Sequence, residues 1–391
     1  MSALADVLLG APELELRERV RAVARADVAP RAADVDRDAR FPHESYQALA
    51  RAGLAGLLVP PALGGSGGSV LGYVVAMEEI AAACPATATV YMTQMHAANP
   101  ILMAGSDEQR RRWLPLLCDG SAYGSLAVSE PEAGSDVAAL RTFARRDGED
   151  GYVLDGAKTF ITTGDRADVV VLFATVDRTA GRDGITAFLI ERGTPGLVAG
   201  PAMHKLGMRG SSTVELFLDG VRAPVAARLG SERGGWALSM RSVVKSRLSA
   251  AAQGVGIARG AYEHARTWAH ERGLLRGSRG VAQDAQFALA EADARIAAMR
   301  ALLQQTAALV DRADGAEPVA QVSAAKLVCT DGAMAICDEL VDLLGPDGDD
   351  ERHGVERYLR DAKVTQIYDG TNQIQRLLIA RDVRADAEAA A

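Results

Sequence analysis

Residues 360–381 read RDAKVTQIYDGTNQIQRLLIAR, and their pattern predicts two helices that meet at a short break. Residues at helical spacing lie on both sides of the break: Lys363, Val364, Ile367 and Tyr368 before it, and Ile374, Leu377, Leu378 and Arg381 after it. Gly370 permits a tight turn, and Thr371 can cap the second helix and leave its first amides facing an anion. The acidic side chain of Asp369 therefore stands beside an open helix start, which suits removal of a proton.

The composition is that of a chain large enough for a multidomain enzyme. It has 391 residues, of which 48% are hydrophobic, enough to fill about two or three cores of ordinary size. Lys and Arg total 43 against 51 Asp and Glu, which gives a net charge of −8 with no basic stripe. We therefore expect no nucleic-acid binding.

The sequence carries no recognisable signal for export, membrane insertion or metal binding. Its first residues, MSALADVLLGAPELELRERV, lack a charged region followed by an apolar run, and no later segment has the length of a membrane span. We therefore expect a cytoplasmic protein. His96 is interpreted as a packed core residue. The cysteines lack CxxC spacing and histidine companions, which predicts buried thiols in a reducing compartment for Cys84, Cys118, Cys329 and Cys337.

The hydrophobic period changes twice along the chain and predicts an α+β protein of three domains. Residues 1–122 read as an N-terminal helical domain, in which 70–83 is apolar almost all round. Short strand-like runs over 123–230 predict a small antiparallel β-barrel or sandwich, in which Asp155-Gly156 is typical of a hairpin turn. Helical spacing returns over 231–391, where a first long helix rich in small residues predicts a four-helix bundle.

The segments RDAK (360–363), IYDGT (367–371) and QIQR (373–376) resemble the C-terminal signature of the acyl-CoA dehydrogenase family. The resemblance implies that Asp369 is the catalytic base and lies against the flavin ring of FAD. The family's usual base is Glu, so this carboxylate would retreat by roughly 1.5 Å on an unchanged backbone. A misplacement of about 1 Å can cost on the order of a hundredfold in rate. The alternative is that Asp369-Gly370 is only a surface turn.

The segment LAVSEPEAGSDV, from Leu126 to Val137, is similar to the family's TEPGAGSDV motif. In that family the first hydroxyl and nearby amides hold the flavin pyrimidine, and a later Ser lies near the substrate's phosphopantetheine or the FAD pyrophosphate. The resemblance gives these roles to Ser129 and Ser135 and includes Leu126 in the cofactor site. A glycine-containing loop with two hydroxyls offers donors to an anionic flavin oxygen and to phosphate.

The segment KTFITTG (158–164) resembles the family's second flavin motif, K-x-W-I-T-N-G. The resemblance implies that Phe160 covers one flavin face and that Thr162 reaches flavin N5, with Ile161 beside them in the cofactor site. Alternation along a strand offers a second interpretation, in which Phe160 is a core residue.

A further resemblance involves Arg272, which is followed eleven residues later by Gln283. In the family, Arg and Gln at this spacing contact the FAD of a neighbouring subunit. Residues 342–348, DLLGPDG, stand where the family has Q-x-x-G-G-x-G, which implies adenosine contacts at Asp342 and Gly345. A cofactor shared between subunits predicts a homotetramer or a homodimer.

The expected substrate site departs from the family pattern. Arg247 stands where the family has an Arg near the thioester, but the Asp usual three residues earlier is Val244. The alternative base position, immediately before that Arg, is Ser246, so Asp369 is the one candidate carboxylate at either place. The resemblance adds cofactor contacts at Thr371 and Gln373, and it implies a substrate site formed by Ser135, Ser246, Arg247, Tyr368, Gly370 and Arg381.

Together these motifs predict α,β-dehydrogenation of an acyl thioester, in which Asp369 removes the α-proton and flavin N5 receives the hydride. Electrons would then pass to an acceptor such as an electron-transfer flavoprotein. The thioester would be carried by CoA or by an acyl carrier protein, and the absence of Asp at Val244 favours the carrier protein.

Other classes of protein stay open. A nitroalkane-oxidising flavoprotein of the same fold would use Asp369 as base with Ser246 and Arg376 nearby. Acyl oxidases and flavin N-hydroxylases would share the cofactor but react with oxygen. A flavin-free binding or scaffold protein is the alternative from a different class, and the altered segment at 342–348 motivates it.

Overall fold

In the computed structural model, which describes residues 7–149, 151–276, 279–313 and 317–389, helices form both ends of the chain and strands form the middle. This order of helical, sheet and helical regions confirms the predicted α+β class. Residues 1–6, part of the segment used to predict that an export signal is absent, lie outside the described residues. The domain limits at 122 and 230 stay a prediction.

Six α-helices precede the sheet in the described part of the chain. They are α1 Ala11–Val23, α2 Ala32–Arg37, α3 His43–Arg51, α4 Val70–Ala83, α5 Pro85–Ala104 and α6 Asp107–Asp119, and a π-helical turn at Ala24–Val28 follows α1. Almost every side chain of α4 and α5 is buried, which confirms the prediction for 70–83. Because a helix that is apolar all round must be covered on every side, these two helices lie at the centre of the molecule.

The middle region forms one eight-stranded sheet. Its strands are β1 Gly124–Ala127, β2 Phe143–Asp147, β3 Gly151–Thr162, β4 Val169–Thr175, β5 Ile185–Glu191, β6 Leu197–Ala199, β7 Thr213–Pro224 and β8 Arg228–Leu229. Hydrogen bonds join them in the order β6-β7-β3-β2-β4-β5-β8, and β1 pairs with β4. Most neighbours are antiparallel, as predicted, but β1 and β2 each meet β4 in parallel.

The prediction of a hairpin turn at Asp155-Gly156 is wrong. Strand β3 continues through this dipeptide, because its first half pairs with β2 on one side and with β7 on the other. Gly156 lies at a register shift against β7 and has φ of +149°, and a Cβ there would lie 2.7 Å from Thr142 Oγ1. Gly156 therefore permits a β-bulge and the close approach of a neighbouring segment. The chain does not reverse direction there.

Five α-helices follow the sheet among the described residues: α7 Gly235–Glu271, α8 Val281–Arg312, α9 Val319–Leu344, α10 Val355–Thr365 and α11 Asn372–Ala389. The long helix α7 packs against α4 and α9. Its glycines allow close backbone approach, as predicted: a Cβ on Gly256 would lie 2.5 Å from the carbonyl oxygen of Glu78, and one on Gly254 would lie 2.8 Å from that of Cys329. These contacts bring the first and last helical regions into one packed body.

The buried side chains form two apolar clusters. The larger one joins the helices of both regions with one face of the sheet, and the smaller one fills the other face of the sheet. All four cysteines are free and buried, which confirms the prediction of buried thiols, and the reducing compartment stays a prediction. In the described ranges no helix is both long and apolar enough to cross a membrane.

Candidate functional site

The break between α10 and α11 is an unusual turn built from two left-handed residues. Asp369 has φ of +54° and Gly370 has φ of +88°. The amide of Ile374 donates to Thr371 Oγ1 at 3.3 Å, so Thr371 caps α11 as the sequence predicts. Asp is among the few side chains that adopt a left-handed backbone at moderate cost, so this turn suits both residues.

A buried lysine and a buried glutamine hold this turn in place. Lys326, on α9, donates to the carbonyl oxygen of Gly370 at 3.0 Å and to Asn372 Oδ1 at 2.8 Å. Gln375 Nε2 donates to the same Gly370 carbonyl at 2.7 Å. Burial lowers the pKa of Lys326 to about 8, although Asp369 and Asp331 favour its charged form. Two independent donors on one carbonyl fix the turn that carries Asp369.

Asp369 is half-buried, and its carboxyl group has an incomplete set of hydrogen bonds. Its Oδ2 atom is buried and has no hydrogen-bond partner among the described residues. Burial raises the pKa of Asp369 above its ordinary value, while His96, Lys326 and the Ser246 hydroxyl oppose the rise. A half-buried carboxylate with a raised pKa and cations nearby has the properties of a general base.

Other unpaired polar atoms surround this carboxyl group. Arg247 Nε, Gln375 Oε1 and His96 Nε2 are buried without a partner in the described ranges. A Cβ on Gly370 would lie 3.8 Å from Arg247 Nε and 2.8 Å from Gln375 Nε2, which places both side chains at the turn. An unpaired buried polar atom costs about 1–3 kcal/mol, so such a cluster is typical of a site whose partner is a ligand.

His96, interpreted from the sequence as a packed core residue, adds a buried Nε2 atom, unpaired among the described residues, to the electrostatic surroundings of Asp369. Its imidazole lies close enough to Asp369 for each group to alter the other's pKa, and burial lowers the pKa of His96. Lys326 is a second member that the sequence analysis missed. Its signal was present, because Lys326 interrupts the buried apolar stripe of Val322, Cys329 and Ala333 on α9.

Tyr368 is held from the central helices. Its hydroxyl donates to Gln253 Oε1 on α7, and Gln253 Nε2 donates to Thr89 Oγ1 and to the carbonyl oxygen of Pro85, both at 2.8 Å. Burial raises the pKa of Tyr368 well above its ordinary value, so the phenol stays neutral. This chain of hydrogen bonds anchors the residue that precedes Asp369.

The two predicted flavin motifs are joined by a buried ion pair. Lys158 Nζ lies 2.7 Å from Glu130 Oε1, and both side chains are almost fully buried. Glu130 also accepts from the amides of Arg141 and Thr142 at 2.6 and 2.9 Å. The pair holds the loop after β1 against β3, so that Ser129, whose carbonyl accepts from Thr159, lies beside the second motif. Leu126 lies in β1, whereas Ser135 is exposed farther along the loop.

Phe160 is 69% exposed on a left-handed backbone, with φ of +56°. This excludes the interpretation of Phe160 as a core residue. Ile161 beside it is buried, and the half-buried Thr162 accepts a hydrogen bond from Ser125 Oγ at 2.7 Å through its carbonyl. Thr163 follows, also left-handed, with its buried Oγ1 unpaired among the described residues. An exposed aromatic ring on a left-handed backbone, three residues before an unpaired hydroxyl, fits contact with a flat polar ligand.

The remaining predicted residues are exposed or held in ion pairs of their own. Arg272 pairs with Asp347 and stacks over Trp268 at 4.7 Å, near the ends of α7 and α9. Arg376 is paired with Asp331 at 2.8 Å. Arg381 is nine residues beyond the start of α11, or about 14 Å along the helix. The structure places the following predicted residues on exposed surface: Gln283, Asp342, Gly345, Gln373 and Arg381.

Comparisons with known proteins match the whole described architecture. The family models for the N-terminal, middle and C-terminal domains of acyl-CoA dehydrogenase match residues 11–121, 125–221 and 233–384. An acyl-CoA dehydrogenase of Bacillus subtilis is 38% identical over 371 residues, which are 94% of this chain and 97% of that protein.

Solved structures agree with these matches. Butyryl-CoA dehydrogenase from Megasphaera elsdenii superposes with a TM-score of 0.91 at 32% identity, covering 96% of this chain and 98% of that one. The prolyl acyl carrier protein oxidase AnaB superposes with a TM-score of 0.87 at 29% identity, covering 96% and 99%. The likeness therefore extends to proteins named for thioesters of CoA and to one named for a carrier protein.

Proposed function

Because the chain belongs to the acyl-CoA dehydrogenase family, we propose that it catalyses the FAD-dependent α,β-dehydrogenation of an acyl thioester with Asp369 as the base. The observation that carries the proposal is the buried, unpaired Oδ2 of Asp369, on a carboxyl group whose pKa is raised by burial. A carboxylate with this environment is ready to accept a proton from a bound carbon acid.

The residues present fit FAD. The exposed ring of Phe160, the unpaired Thr163 hydroxyl and the hydroxyl-bearing loop at Ser129 are the features that a flavin would satisfy. We propose that Leu126, Ile161 and Thr162 contribute to the same contact, with Thr371 and Gln373 nearby, and that Arg272, Gln283, Asp342 and Gly345 hold the adenosine pyrophosphate end. When bound, FAD supplies the oxidant that accepts a hydride from the β-carbon.

The chain's own residues prepare the substrate for proton loss. Asp369 takes the α-proton, and the Gly370 N–H, which has no acceptor among the described residues, donates to the thioester carbonyl as negative charge develops there. Lys326 and Gln375 hold the turn from the opposite side through the Gly370 carbonyl. Arg247, with its unpaired Nε, adds positive charge beside the same group. We assign Ser135, Ser246, Tyr368 and Arg381 to substrate contact on the family resemblance.

The test is anaerobic reduction of the flavin by a panel of acyl thioesters, each offered on CoA and on an acyl carrier protein. We expect bleaching of the flavin absorbance by at least one of them. Asp369→Asn should abolish this reduction while flavin stays bound, and the exposed carboxylate variant Asp338→Asn should behave as the unmodified protein does. Unchanged turnover in Asp369→Asn would refute the assignment of the base.

Nitroalkane oxidation is the second candidate, and the Ser246 hydroxyl beside Asp369 favours it. The position of Arg376 counts against it, since that guanidinium is paired with Asp331 and 55% exposed. Oxygen consumption with nitroethane distinguishes the two reactions. Oxygen use without nitroethane, after reduction by a thioester, would instead indicate an acyl oxidase.

We also propose self-association, as a homodimer or homotetramer. Exposed apolar side chains on α8 and α11 support it: Val281 is 72% exposed, Phe287 59%, Leu377 53% and Val383 63%. Faces of this kind commonly pack against another chain. Light scattering of the purified protein measures the oligomeric state. An electron-transfer flavoprotein as acceptor and a cytoplasmic location complete the proposal.

A further inference from the structure

A cleft of about 370 Å³ lies between the N-terminal helices and the first turn of α10. Its walls come from α1 and the π-helical turn, from the end of α4, from α7 and from residues 351–358. This volume lies in the range of small-molecule sites, about 300–1,000 Å³. None of the residues of the Asp369 site lines it, so the cleft is separate from the site described above.

Positive charge exceeds negative charge in this cleft. Five arginines line it, Arg21, Arg25, Arg259, Arg352 and Arg357, against the three glutamates Glu79, Glu263 and Glu351. His264 also lines it, and burial lowers its pKa, so it adds little charge near neutral pH. The side chains that line the cleft therefore carry a net charge of about +2 near neutral pH.

Existing ion pairs account for only some of these arginines. Arg21 and Arg259 share Glu79, each at 2.8 Å, and Arg352 pairs with Asp350 outside the lining. Within the described residues, no carboxylate lies within 4.0 Å of Arg25 or Arg357. Glu351, by contrast, is an exposed carboxylate at the cleft that has no ion-pair partner in the part of the chain that the structure describes.

Arg357 is the decisive residue. It is only 7% exposed, its Nε is buried with no hydrogen-bond partner in the described ranges, and its guanidinium lies 5.3 Å from the ring of Tyr358. A buried guanidinium with no carboxylate in direct contact is costly, because its charge is removed from water without an ion pair, and the longer-range attraction of Asp361 on the same helix offsets only part of this cost. Its planar set of donors matches carboxylate and phosphate oxygens.

We propose that this cleft binds a multiply charged oxyanion, with Arg357 and Arg25 as its principal contacts. Phosphate and carboxylate groups share the recognition chemistry, and the cleft volume leaves room for an organic part attached to either. The site is independent of the proposed dehydrogenase chemistry, because the test measures binding and uses no acyl thioester.

The experiment is calorimetric titration of the purified full-length flavoprotein with inorganic phosphate, pyrophosphate and malonate, at ionic strength matched with sodium chloride. We expect saturable binding of at least one probe. Arg25→Gln should weaken that binding about tenfold, the loss of one charged hydrogen bond. Arg19→Gln, an exposed arginine on α1 outside the cleft, is the matched control and should leave it unchanged.

Arg357→Gln tests the buried contact, and Arg357→Lys keeps the charge while removing the planar fork. If Arg357→Gln fails to fold, Arg25→Gln and Arg357→Lys still test whether the cleft binds the oxyanion. Preference for phosphate over malonate, or the reverse, identifies the ligand class and supports the proposal. Absence of saturable binding with all three probes, or equal weakening by Arg19→Gln and Arg25→Gln, overturns it.

Discussion

Lys326 Nζ donates to the carbonyl oxygen of Gly370 at 3.0 Å and so ties the middle of α9 to the turn that presents Asp369. Both partners are remote in sequence, and Lys326 is fully buried. The position of the carboxylate therefore depends on α9, which also binds the start of α11 through hydrogen bonds from Asn372 to Thr330 and Asp331.

Lys326→Met should lower kcat for flavin reduction by about tenfold to a hundredfold, because the turn loses one of its two anchors and Asp369 is displaced. KM for the thioester should change less. Stopped-flow reduction measures both, and thermal unfolding monitors the fold. The exposed Lys363→Met on α10 is the control. A kcat within twofold of the unmodified value would show that the lysine has no role in positioning.

The rate of flavin reduction should rise with pH through the raised pKa of Asp369, because only the ionised carboxylate accepts a proton. The midpoint should lie above 3.8, the ordinary value for Asp. The Ser246 hydroxyl lowers the pKa of Asp369, so Ser246→Ala should move the midpoint to higher pH. Single-turnover pH profiles measure this. A shift to lower pH would contradict the assignment.

Phe160→Gly should separate folding from cofactor binding. Glycine relieves the left-handed strain at φ of +56°, so the apoprotein should gain about 1 kcal/mol in free energy of unfolding. Loss of the exposed ring should weaken flavin binding about tenfold, as judged by titrating the apoprotein with FAD. Phe217→Ala, which truncates another exposed ring on β7, is the control and should retain flavin.

Lys158→Met should reduce the free energy of unfolding by about 3–5 kcal/mol, because it leaves the buried Glu130 carboxylate without its cation. The double variant Glu130→Gln with Lys158→Met should be less destabilised than the single one. Urea unfolding of the three proteins measures the coupling. An equal loss of unfolding free energy in the single and double variants would mean that the unpaired Glu130 carboxylate does not cause the destabilisation.

Asp361 should make stability depend on pH. Burial raises its pKa from 3.8 to about 7, so its protonated form is favoured in the folded state. Its contribution is complete below about pH 4 and is lost as pH rises through about 7. Asp361→Asn should therefore flatten the decline in unfolding free energy between pH 5 and 8, and Asp338→Asn should not. An unchanged slope in Asp361→Asn would contradict this.

The local sequence pattern was sufficient to predict the parts of the site whose residues are adjacent in sequence. The Asp369-Gly370 break, the Thr371 cap and the buried character of α4 all follow from neighbours within one or two helical turns. The exposed position of Phe160 was one of two interpretations, and strand alternation alone favoured the wrong one.

Contacts between distant segments could not be predicted in this way. His96 influences the pKa of Asp369 because α5 packs against α7 and α10, and no local period encodes these contacts. The Asp155-Gly156 error has the same origin, since the dipeptide suits both a reversal and a bulge, and pairing with β2 and β7 decides between them. The Glu130–Lys158 pair likewise spans 28 residues.

The left-handed backbone at Asp369 gives the main chain a part in favouring Asp over Glu as the proposed base. Short acidic side chains tolerate this conformation better than longer ones, because they can bond to nearby peptide groups. Lengthening the side chain to Glu would extend its reach but increase the conformational cost of the turn. The reach of the carboxylate and the main-chain geometry are thus coupled at a single residue, so a change in side-chain length also changes the cost of the turn.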